Sequence, residues 1–395
     1  MRWNRESERS VWDTVPVTRS HRRRSTALTI FAIAGMGAIG IAYAVRTTGR
    51  GSDLSAQAAS AGGEPPTTSA YPADRSVAAA ARLPASAVRT KALPVGFGAA
   101  DVAVGADDTV WVAGCSGGAG ECVGASSIDL GTGTVRSLPG TPVDANVAQV
   151  AAGDGAVFLL SNGYSGAPYH VTRVDPIDGR RIWSVAVPDT SVQGDPKAKL
   201  ALGAGALWFS DGTHPVVEFA PRTGTVLATI AVPGDVENNG SVGFAFDGAG
   251  AWVVGGGSGT ALMRIDPESK RLQIVEDSDT GFTQSLAADG RFVWTTHWTT
   301  RLELVRVDTE NGYRRTAFDI PTAQVAAGDG QVWFLGYGNN DDGFLGEIDP
   351  DTGTIVAATE LPIGEFDDAS LIVLGGRAYV LDTATHSLMT VDPAS

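Results

Sequence analysis

The chain has 395 residues, of which 18% are charged, 43% are hydrophobic and 50 are glycine. Apolar residues are numerous enough for a large buried core, and so many glycines fit a β protein with many turns. The 29 basic and 44 acidic residues give a net charge of −15. This acidic balance argues against binding of nucleic acid through phosphate contacts.

The N-terminus combines a basic segment with a long apolar run. Residues 1–25 contain seven arginines, and residues 26–45, TALTIFAIAGMGAIGIAYAV, contain no charge. Twenty residues in a helix span about 30 Å, the thickness of the hydrocarbon core. We therefore predict a cytoplasmic segment, 1–25, and a transmembrane signal-anchor helix, 26–45, with the rest of the chain outside. The alternative is a secreted protein cleaved near Ala44, because small residues precede that position.

Residues 46–86 are dominated by Ala, Ser, Gly, Thr and Pro and show no apolar period. Such a composition predicts a disordered, flexible linker.

The sign of the net charge also changes along the chain. The first 50 residues hold nine basic and three acidic residues, net +6, and the other 345 hold 20 basic and 41 acidic residues, net −21. The exported part therefore suits a cationic partner.

Residues 87–395 repeat one unit, which is clearest from Val325 to Val356. It contains a short apolar run, a Gly-Asp-Gly turn, the apolar segment Val332–Phe334, a variable loop, and an Asp-Pro-Asp-Thr-Gly turn before another apolar run. The Asp-Gly pair suits a tight hairpin, and Pro followed by Gly suits the second turn. The unit predicts a four-stranded antiparallel meander, with strands a, b, c and d.

An aromatic residue in strand b marks seven copies of the unit. These residues are Trp111, Phe158, Trp208, Trp252, Trp294, Trp333 and Tyr379, at intervals of 47, 50, 44, 42, 39 and 46 residues. Four strands in about 40–45 residues is typical of a β-propeller blade. We predict an all-β, seven-bladed β-propeller in which each aromatic wedges between neighbouring blades.

The seventh unit ends after strand c and lacks strand d. Residues 87–95, AVRTKALPV, precede the first strand a and resemble the strand d of another blade, residues 225–232. We expect this N-terminal strand to close the last blade, because closure removes an exposed sheet edge. The alternative is a loose N-terminal tail beside a three-stranded blade.

The repeated pattern resembles the bacterial seven-bladed propellers of the YVTN and virginiamycin B lyase-like group. It reads apolar-Gly-Asp-Gly-x-Val-Trp-Val and later Arg-Ile-Asp-Pro-x-Thr-Gly-x-Val, across about residues 87–395. The resemblance implies the fold, and in the streptogramin lyases it implies a catalytic His at the start of some a strands, a nearby Glu and magnesium. This chain has Gln149, Ser285 and Gln324 in the matching stretches, so the lyase catalytic His motif is not seen.

The two cysteines, Cys115 and Cys122, both fall in the b–c loop of blade one. An oxidising exterior favours a disulfide between them. A two-thiolate metal site is the alternative, but no second Cys or His pair is close in sequence.

The a–b and c–d turns of a propeller share one face, here named the turn face. The b–c and d–a loops share the other, here named the loop face, and these connections are longer and more varied in this chain. Binding residues concentrate on such loops, so we expect function on the loop face. Polar residues begin six of the seven a strands and predict a ligand-binding ring at the channel mouth. They are Asp101, Gln149, Lys199, Ser285, Gln324 and Ser370; the seventh position is Gly243.

Aromatic and imidazole side chains also fall in or beside the predicted loops. We expect contacts to a sugar or peptide from Tyr164, Tyr169, His297, Trp298 and Tyr337. Four histidines lie on that rim but come from blades two, three, five and seven, so no metal site is predicted from them, although a divalent cation stays open.

These patterns favour a non-enzymatic module at the cell membrane that binds or scaffolds a protein, peptide or glycan. No catalytic residue is assigned and no cofactor is predicted. The alternative is a lyase-like small-molecule lyase or hydrolase with a divalent metal at the channel mouth, which would need converging His and carboxylate groups there.

Overall fold

The structure is a computed structural model that describes residues 81–393 with short gaps. The gaps are 85–86, 94–96, 106–108, 117–123, 139–145, 154, 163–166, 189, 191–197, 213, 233–242, 256–259, 279–281, 299–301, 321, 338–342, 364–368 and 383. The predicted basic segment, transmembrane helix and most of the predicted linker lie outside the described residues. Within the part that is described, no helix is both long and apolar enough to span a membrane.

The described residues form seven sheets, one for each predicted unit, and each contains four antiparallel strands. Blade one contains β3 (Phe97–Val104), β4 (Thr109–Ser116), β5 (Gly124–Asp129) and β6 (Val135–Ser137). Blade two contains β7 (Asn146–Gly153), β8 (Ala156–Asn162), β9 (Tyr169–Val174) and β10 (Arg181–Ala186). Blade three contains β11 (Lys199–Gly203), β12 (Ala206–Ser210), β13 (Val216–Phe219) and β14 (Val226–Ile230).

The next three blades follow the same order. Blade four contains β15 (Gly243–Asp247), β16 (Gly250–Gly255), β17 (Thr260–Ile265) and β18 (Leu272–Ser278). Blade five contains β19 (Phe282–Asp289), β20 (Phe292–Trp298), β21 (Leu302–Asp308) and β22 (Arg314–Phe318). Blade six contains β23 (Thr322–Gly328), β24 (Gln331–Tyr337), β25 (Gly343–Ile348) and β26 (Ile355–Leu361).

Blade seven is closed by the N-terminal strand, as the sequence predicts. Its first three strands are β27 (Ala369–Leu374), β28 (Arg377–Asp382) and β29 (Ser387–Val391), and its fourth is β2 (Val88–Ala92). β2 pairs antiparallel with β29, from Val88 opposite Val391 to Ala92 opposite Ser387. Arg89 Nη2 adds an ion pair, donating to Asp392 Oδ2 at 2.8 Å and Oδ1 at 3.0 Å. The alternative of a loose tail beside three strands is therefore wrong.

The end of the predicted linker is ordered on blade six, which the sequence does not anticipate. β1 (Ala81–Arg82) pairs in parallel with β26, with Ala81 opposite Ala357. The Leu83 amide then donates to the Ala358 carbonyl at 2.9 Å, and the Leu83 side chain packs on the core between blades six and seven. Residues 81–83, which the sequence places at the end of the linker, therefore lie against the propeller.

The strand-b aromatics are buried wedges, as predicted. Phe158, Trp208, Trp252, Trp294 and Trp333 are fully buried, and Trp111 and Tyr379 are 6–7% exposed. Each wedge belongs to a cluster shared with the following blade. Burial of a large aromatic contributes about 2–3 kcal/mol, so seven repeated wedges provide much of the force that holds the blades side by side.

The clusters close the ring. The core between blades seven and one contains Ile372, Tyr379 and Leu381 from blade seven with Val110 and Ile128 from blade one. The innermost strands, β3, β7, β11, β15, β19, β23 and β27, contact one another in that cyclic order, and β27 contacts β3. The described residues therefore form a closed seven-bladed β-propeller.

Candidate functional site

The polar positions at the start of the innermost strands fall beside irregularities in the backbone. The register of strand a shifts just before or across this position in blades one, two, five and six, at Asp101, Gln149, Ser285 and Gln324. An extra residue in a strand bends it and re-aims the neighbouring side chain. The a strands of blades three, four and seven pair without such a shift.

Asp101 links three consecutive blades. Its Oδ2 accepts a hydrogen bond from the Val150 amide of blade two at 3.0 Å. Its Oδ1 accepts one from the Lys199 ammonium of blade three at 3.1 Å. The Asp101 side chain is only 13% exposed, so both of its oxygens are used inside the protein.

Ser285 and Gln324 repeat the same link in blades five and six. The Ser285 hydroxyl accepts from the Val325 amide and donates to the Val325 carbonyl, both at 3.1 Å. Gln324 Oε1 accepts from the Leu371 amide at 2.9 Å, and its Nε2 donates to the Ala369 carbonyl at 2.5 Å. Asp101, Ser285 and Gln324 each bond the amide one residue beyond the equivalent position of the next blade. We name these three contacts the inner clasps.

The other ring positions do not make this contact. Gln149 is 7% exposed, and its Oε1 has no partner within the described structure. Ser370 is half-buried, Lys199 carries no acceptor and Gly243 has no side chain. The structure thus brings Asp101, Gln149 and Lys199 together on the innermost strands of blades one, two and three. Most of the hydrogen bonding in the ring is directed at neighbouring blades, which makes the ring a structural feature as well as a candidate ligand site.

A second set of contacts joins the blades on the turn face. In every blade the residue paired with the wedge on strand c is polar, although its strand is mostly apolar. These residues are Ser127, Arg173, Glu218, Arg264, Arg306, Glu347 and Thr390. This polar position at a fixed register is the sequence signal that would have found them.

At least three of these residues reach the following blade within the described structure, and we name the contacts of Arg306, Arg173 and Glu218 the outer clasps. Arg306 donates to the Pro350 and Asp351 carbonyls at 2.5 and 2.8 Å. Arg173 donates to the Arg222 carbonyl at 3.3 Å. Glu218 accepts from Lys270 at 2.7 Å.

Arg306 also lies among three rings, with its guanidinium carbon 4.6, 5.8 and 5.5 Å from the centres of Phe292, Trp294 and Phe318. Burial lowers the pKa of Arg306 from its usual value, and the nearby Asp308 carboxylate opposes that change. The group remains a cation, because arginine titrates far above physiological pH.

The turn face is built from turns that satisfy their own polar groups. Asp349 Oδ1 accepts the Asp351 and Thr352 amides at 2.9 Å, and Asp129 and Asp266 accept amides of their own turns in the same way. The backbone amide bonds lower the pKa of Asp129, Asp266 and Asp349, because they favour the ionised carboxylate. The repeated Asp is therefore a turn-forming residue.

The loop-face residues divide into two groups. Tyr169 and His297 were expected to contact a ligand from the loops, but Tyr169 opens β9 and is 3% exposed, and His297 lies in β20 and is 6% exposed. The Tyr169 ring packs 5.4 Å from that of Phe209 because the strand directs it into the core between blades two and three.

The other predicted loop-face residues lie partly or wholly outside the described structure. Trp298 and Tyr337 end β20 and β24, with side chains outside the described set, and Tyr164 is outside it entirely. Cys115 lies in β4 and Cys122 is not described, so their disulfide stays a prediction. Across the residues that are described, no group of three or more His, Cys, Asp or Glu could hold a metal ion.

The comparisons with known proteins concern the fold. No protein-family model and no curated protein matches this chain. The YVTN and virginiamycin B lyase-like resemblance therefore stays a prediction.

Among solved structures, the chain is similar to one in the crystal structure of the mitotic checkpoint complex. They share 12% identity and a TM-score of 0.56, over 78% of this chain and 94% of that one. It is also similar to hydrazine synthase of Kuenenia stuttgartiensis, with 12% identity and a TM-score of 0.58, over 76% and 96%. BamB from Moraxella catarrhalis is more distant, with 12% identity and a TM-score of 0.47, over 74% and 84%. Likeness at this identity extends to the fold alone, so function is argued from the chain itself.

Proposed function

We propose that this protein is a binding or scaffolding module that is anchored in the cell membrane by residues 26–45 and captures a protein or peptide on the loop face of its propeller. The observation that carries the proposal is the contrast between the two faces. On the turn face the described turns bond to themselves and to neighbouring blades through Asp349, Arg306 and similar residues. The varied connections all lie on the loop face.

The inner clasps support this proposal, because a binding surface of loops needs a scaffold that does not shear. Asp101, Ser285 and Gln324 tie innermost strands together at the side of the ring from which the loops emerge. Loops that are held on a rigid frame lose less conformational entropy when a partner binds.

The net charge of the exported part restricts the class of partner. Residues 51–395 carry net −21, so a protein or peptide with a basic surface fits better than an acidic one.

Site-specific photo-crosslinking in the native envelope tests this proposal. A photoreactive residue would replace Asn340 in the b–c loop of blade six, and the matched control would replace Asp351 in the c–d turn of the same blade. We expect a defined crosslinked partner from position 340 that is absent from position 351 and weakens in about 0.5 M salt, where surface charges are screened. Equal crosslinking from both positions would contradict a loop-face site, and a crosslinked polysaccharide would identify a glycan partner instead.

Two further measurements address the rest of the proposal. Carbonate extraction of membranes, followed by mass measurement of the intact protein, separates an anchored chain from one cleaved near Ala44. The crosslinking experiment repeated with EDTA shows whether recognition needs a divalent cation, and loss of the partner in EDTA would favour the metal-dependent alternative.

A further inference from the structure

A cleft of about 330 Å³ opens on the turn face between blades four and five. Asp247, Ala249 and Arg264 of blade four and Glu310 and Tyr313 of blade five line it. The Asp247 carboxylate already accepts from the Ala249 amide at 2.9 Å and from Trp252 Nε1 at 2.7 Å. Its size is at the lower end of the range of about 300–1,000 Å³ that is usual for small-molecule sites. It lies on the opposite face from the loops and takes no part in the proposed partner binding.

Arg264 occupies the same register as Arg173 and Arg306, opposite the wedge of its blade. The other two arginines donate to carbonyls in the c–d turn of the next blade. Arg264 Nη2 instead donates to the Ala249 carbonyl of its own blade at 3.0 Å. Among the described residues, this carbonyl is its single hydrogen-bond acceptor. Its guanidinium has five donors and its central carbon lies 5.9 Å from the centre of the Trp252 ring, so most of these donors have no acceptor among the described residues.

The turn of blade five explains the difference. Tyr313 adopts a left-handed backbone conformation with φ of 60°. Its ring packs edge-on against Trp252, with the ring centres 6.0 Å apart. The neighbouring turn therefore presents an aromatic ring near Arg264, where blades three and six present carbonyl oxygens to Arg173 and Arg306. Among the described residues, no carbonyl of the blade-five turn accepts a hydrogen bond from Arg264.

We propose that this cleft binds a small monocarboxylate, with the carboxylate on Arg264 and its apolar part beside Tyr313. A carboxylate supplies the two acceptor oxygens that the turn of blade six supplies to Arg306, and it matches the planar guanidinium in a bidentate geometry. The carboxylate comes either from a free small acid or from the C-terminus of a peptide, because both offer the same group.

Glu310 sets the charge that the cleft accepts. Its side chain is 72% exposed at the rim, and Oε2 lies 3.8 Å from the Arg291 Nε. With the Asp247 carboxylate bonded inside blade four and Glu310 at the rim, one guanidinium faces two negative groups, so a second ligand charge is strongly disfavoured. The site therefore selects monocarboxylates over dicarboxylates and phosphates.

Ligand-detected NMR on the full-length protein tests the proposal with three compounds. These are benzoate, N-acetyl-alanyl-alanine, and the C-terminal amide of the same dipeptide. We expect binding of the two acids and at least about ten-fold weaker binding of the amide, because only the acids form charge-assisted hydrogen bonds with Arg264. Tighter binding of benzoate indicates a free small acid, and tighter binding of the dipeptide indicates a peptide C-terminus.

Three variants separate the site from a general loss of structure. Arg264→Gln should weaken binding of the acids about ten-fold or more, whereas Arg271→Gln makes the same charge change in blade four outside the cleft and should leave binding unchanged. Glu310→Gln should tighten binding about two- to five-fold, a gain that no loss of stability can produce. Equal binding of acid and amide, equal effects of Arg264→Gln and Arg271→Gln, or no binding of either acid at about 10 mM would each overturn the proposal.

Discussion

The interfaces on the two sides of blade five share a buried wedge but differ in their polar clasps. Trp252, between blades four and five, and Trp294, between blades five and six, are both fully buried. Between blades five and six, Ser285 and Arg306 add an inner and an outer clasp. Between blades four and five, Gly243 offers no side chain and Arg264 bonds its own blade, and a cleft opens.

This comparison shows that the apolar wedges and the polar clasps have different roles in the interfaces between blades. The wedge repeats at all seven interfaces and is sufficient to seat a blade against its neighbour. The clasps vary from one interface to the next and decide how closely the edges of the blades meet. An interface without clasps still packs, but it leaves exposed hydrogen-bonding groups that a ligand can use.

The largest expected effect concerns two equivalent turn glycines. Gly353 and Gly312 both have a left-handed φ, of 69° and 64°. A Cβ on Gly353 would overlap the Phe318 ring across the interface of blades five and six, whereas one on Gly312 would meet nothing within 4 Å. Gly353→Ala should lower the free energy of unfolding by about 3 kcal/mol, through strain and overlap, and Gly312→Ala by only about 1 kcal/mol. Urea denaturation of both variants measures the difference, and equal losses would show that the two interfaces are alike in packing.

The next effect concerns the two arginines. Arg306→Gln removes two hydrogen bonds to carbonyls and contacts with three rings, and we expect a loss of about 2 kcal/mol. Arg264→Gln removes one hydrogen bond at a solvent-facing cleft, and we expect a loss below about 1 kcal/mol. The same denaturation series checks both values. A larger loss for Arg264→Gln than for Arg306→Gln would contradict the distinction between a clasped and an open interface.

The inner clasp is expected to contribute less. Ser285→Ala leaves the Val325 amide without its side-chain acceptor and should destabilise the protein by about 1 kcal/mol. Ser370→Ala is the matched control, since the Ser370 hydroxyl has no hydrogen bond among the described residues, and it should change stability by less than about 0.5 kcal/mol. Hydrogen exchange at the Val325 amide should rise only in Ser285→Ala. Unchanged hydrogen exchange at the Val325 amide in Ser285→Ala would contradict a stabilising role for this inner clasp.

The smallest expected effect is a pH dependence within blade five. The Arg291 guanidinium bonds Asp308 and lowers the pKa of that carboxyl below its usual value. An aspartate with a lowered folded pKa stabilises the protein above about pH 4, its unfolded pKa, and loses that contribution as the pH falls further. Asp308→Asn should therefore flatten the decline of the unfolding midpoint below about pH 4. An unchanged decline in the variant would assign the acid sensitivity to other carboxylates.

The fold could be predicted from the sequence because the signals that specify it are local. Asp349 to Gly353 specify a turn, Trp333 specifies a wedge, and residues 88–92 match the strand that the last blade lacks. Each depends on a few adjacent residues and a repeat period, which a single sequence displays.

The candidate site depends on relations between blades that no single repeat displays. Arg264 and Arg306 have the same residue type and register, yet their partners differ because the next turn differs. Tyr169 was expected on a loop because it ends a varied segment of the sequence. However, β9 begins at that residue and directs its ring into the core. The bulges that aim Asp101, Ser285 and Gln324 depend on backbone register, which composition does not encode.

The pairing of β2 with β29 has a consequence for how the protein is made. Residues 88–92 leave the ribosome some 300 residues before their partner strand, so β2 waits unpaired until β29 has been synthesised. Contacts so distant in sequence form late and slow the final step of folding. A chain that lacks β29 would keep two open sheet edges, at β28 and β2, so the ring can close only once β29 is available.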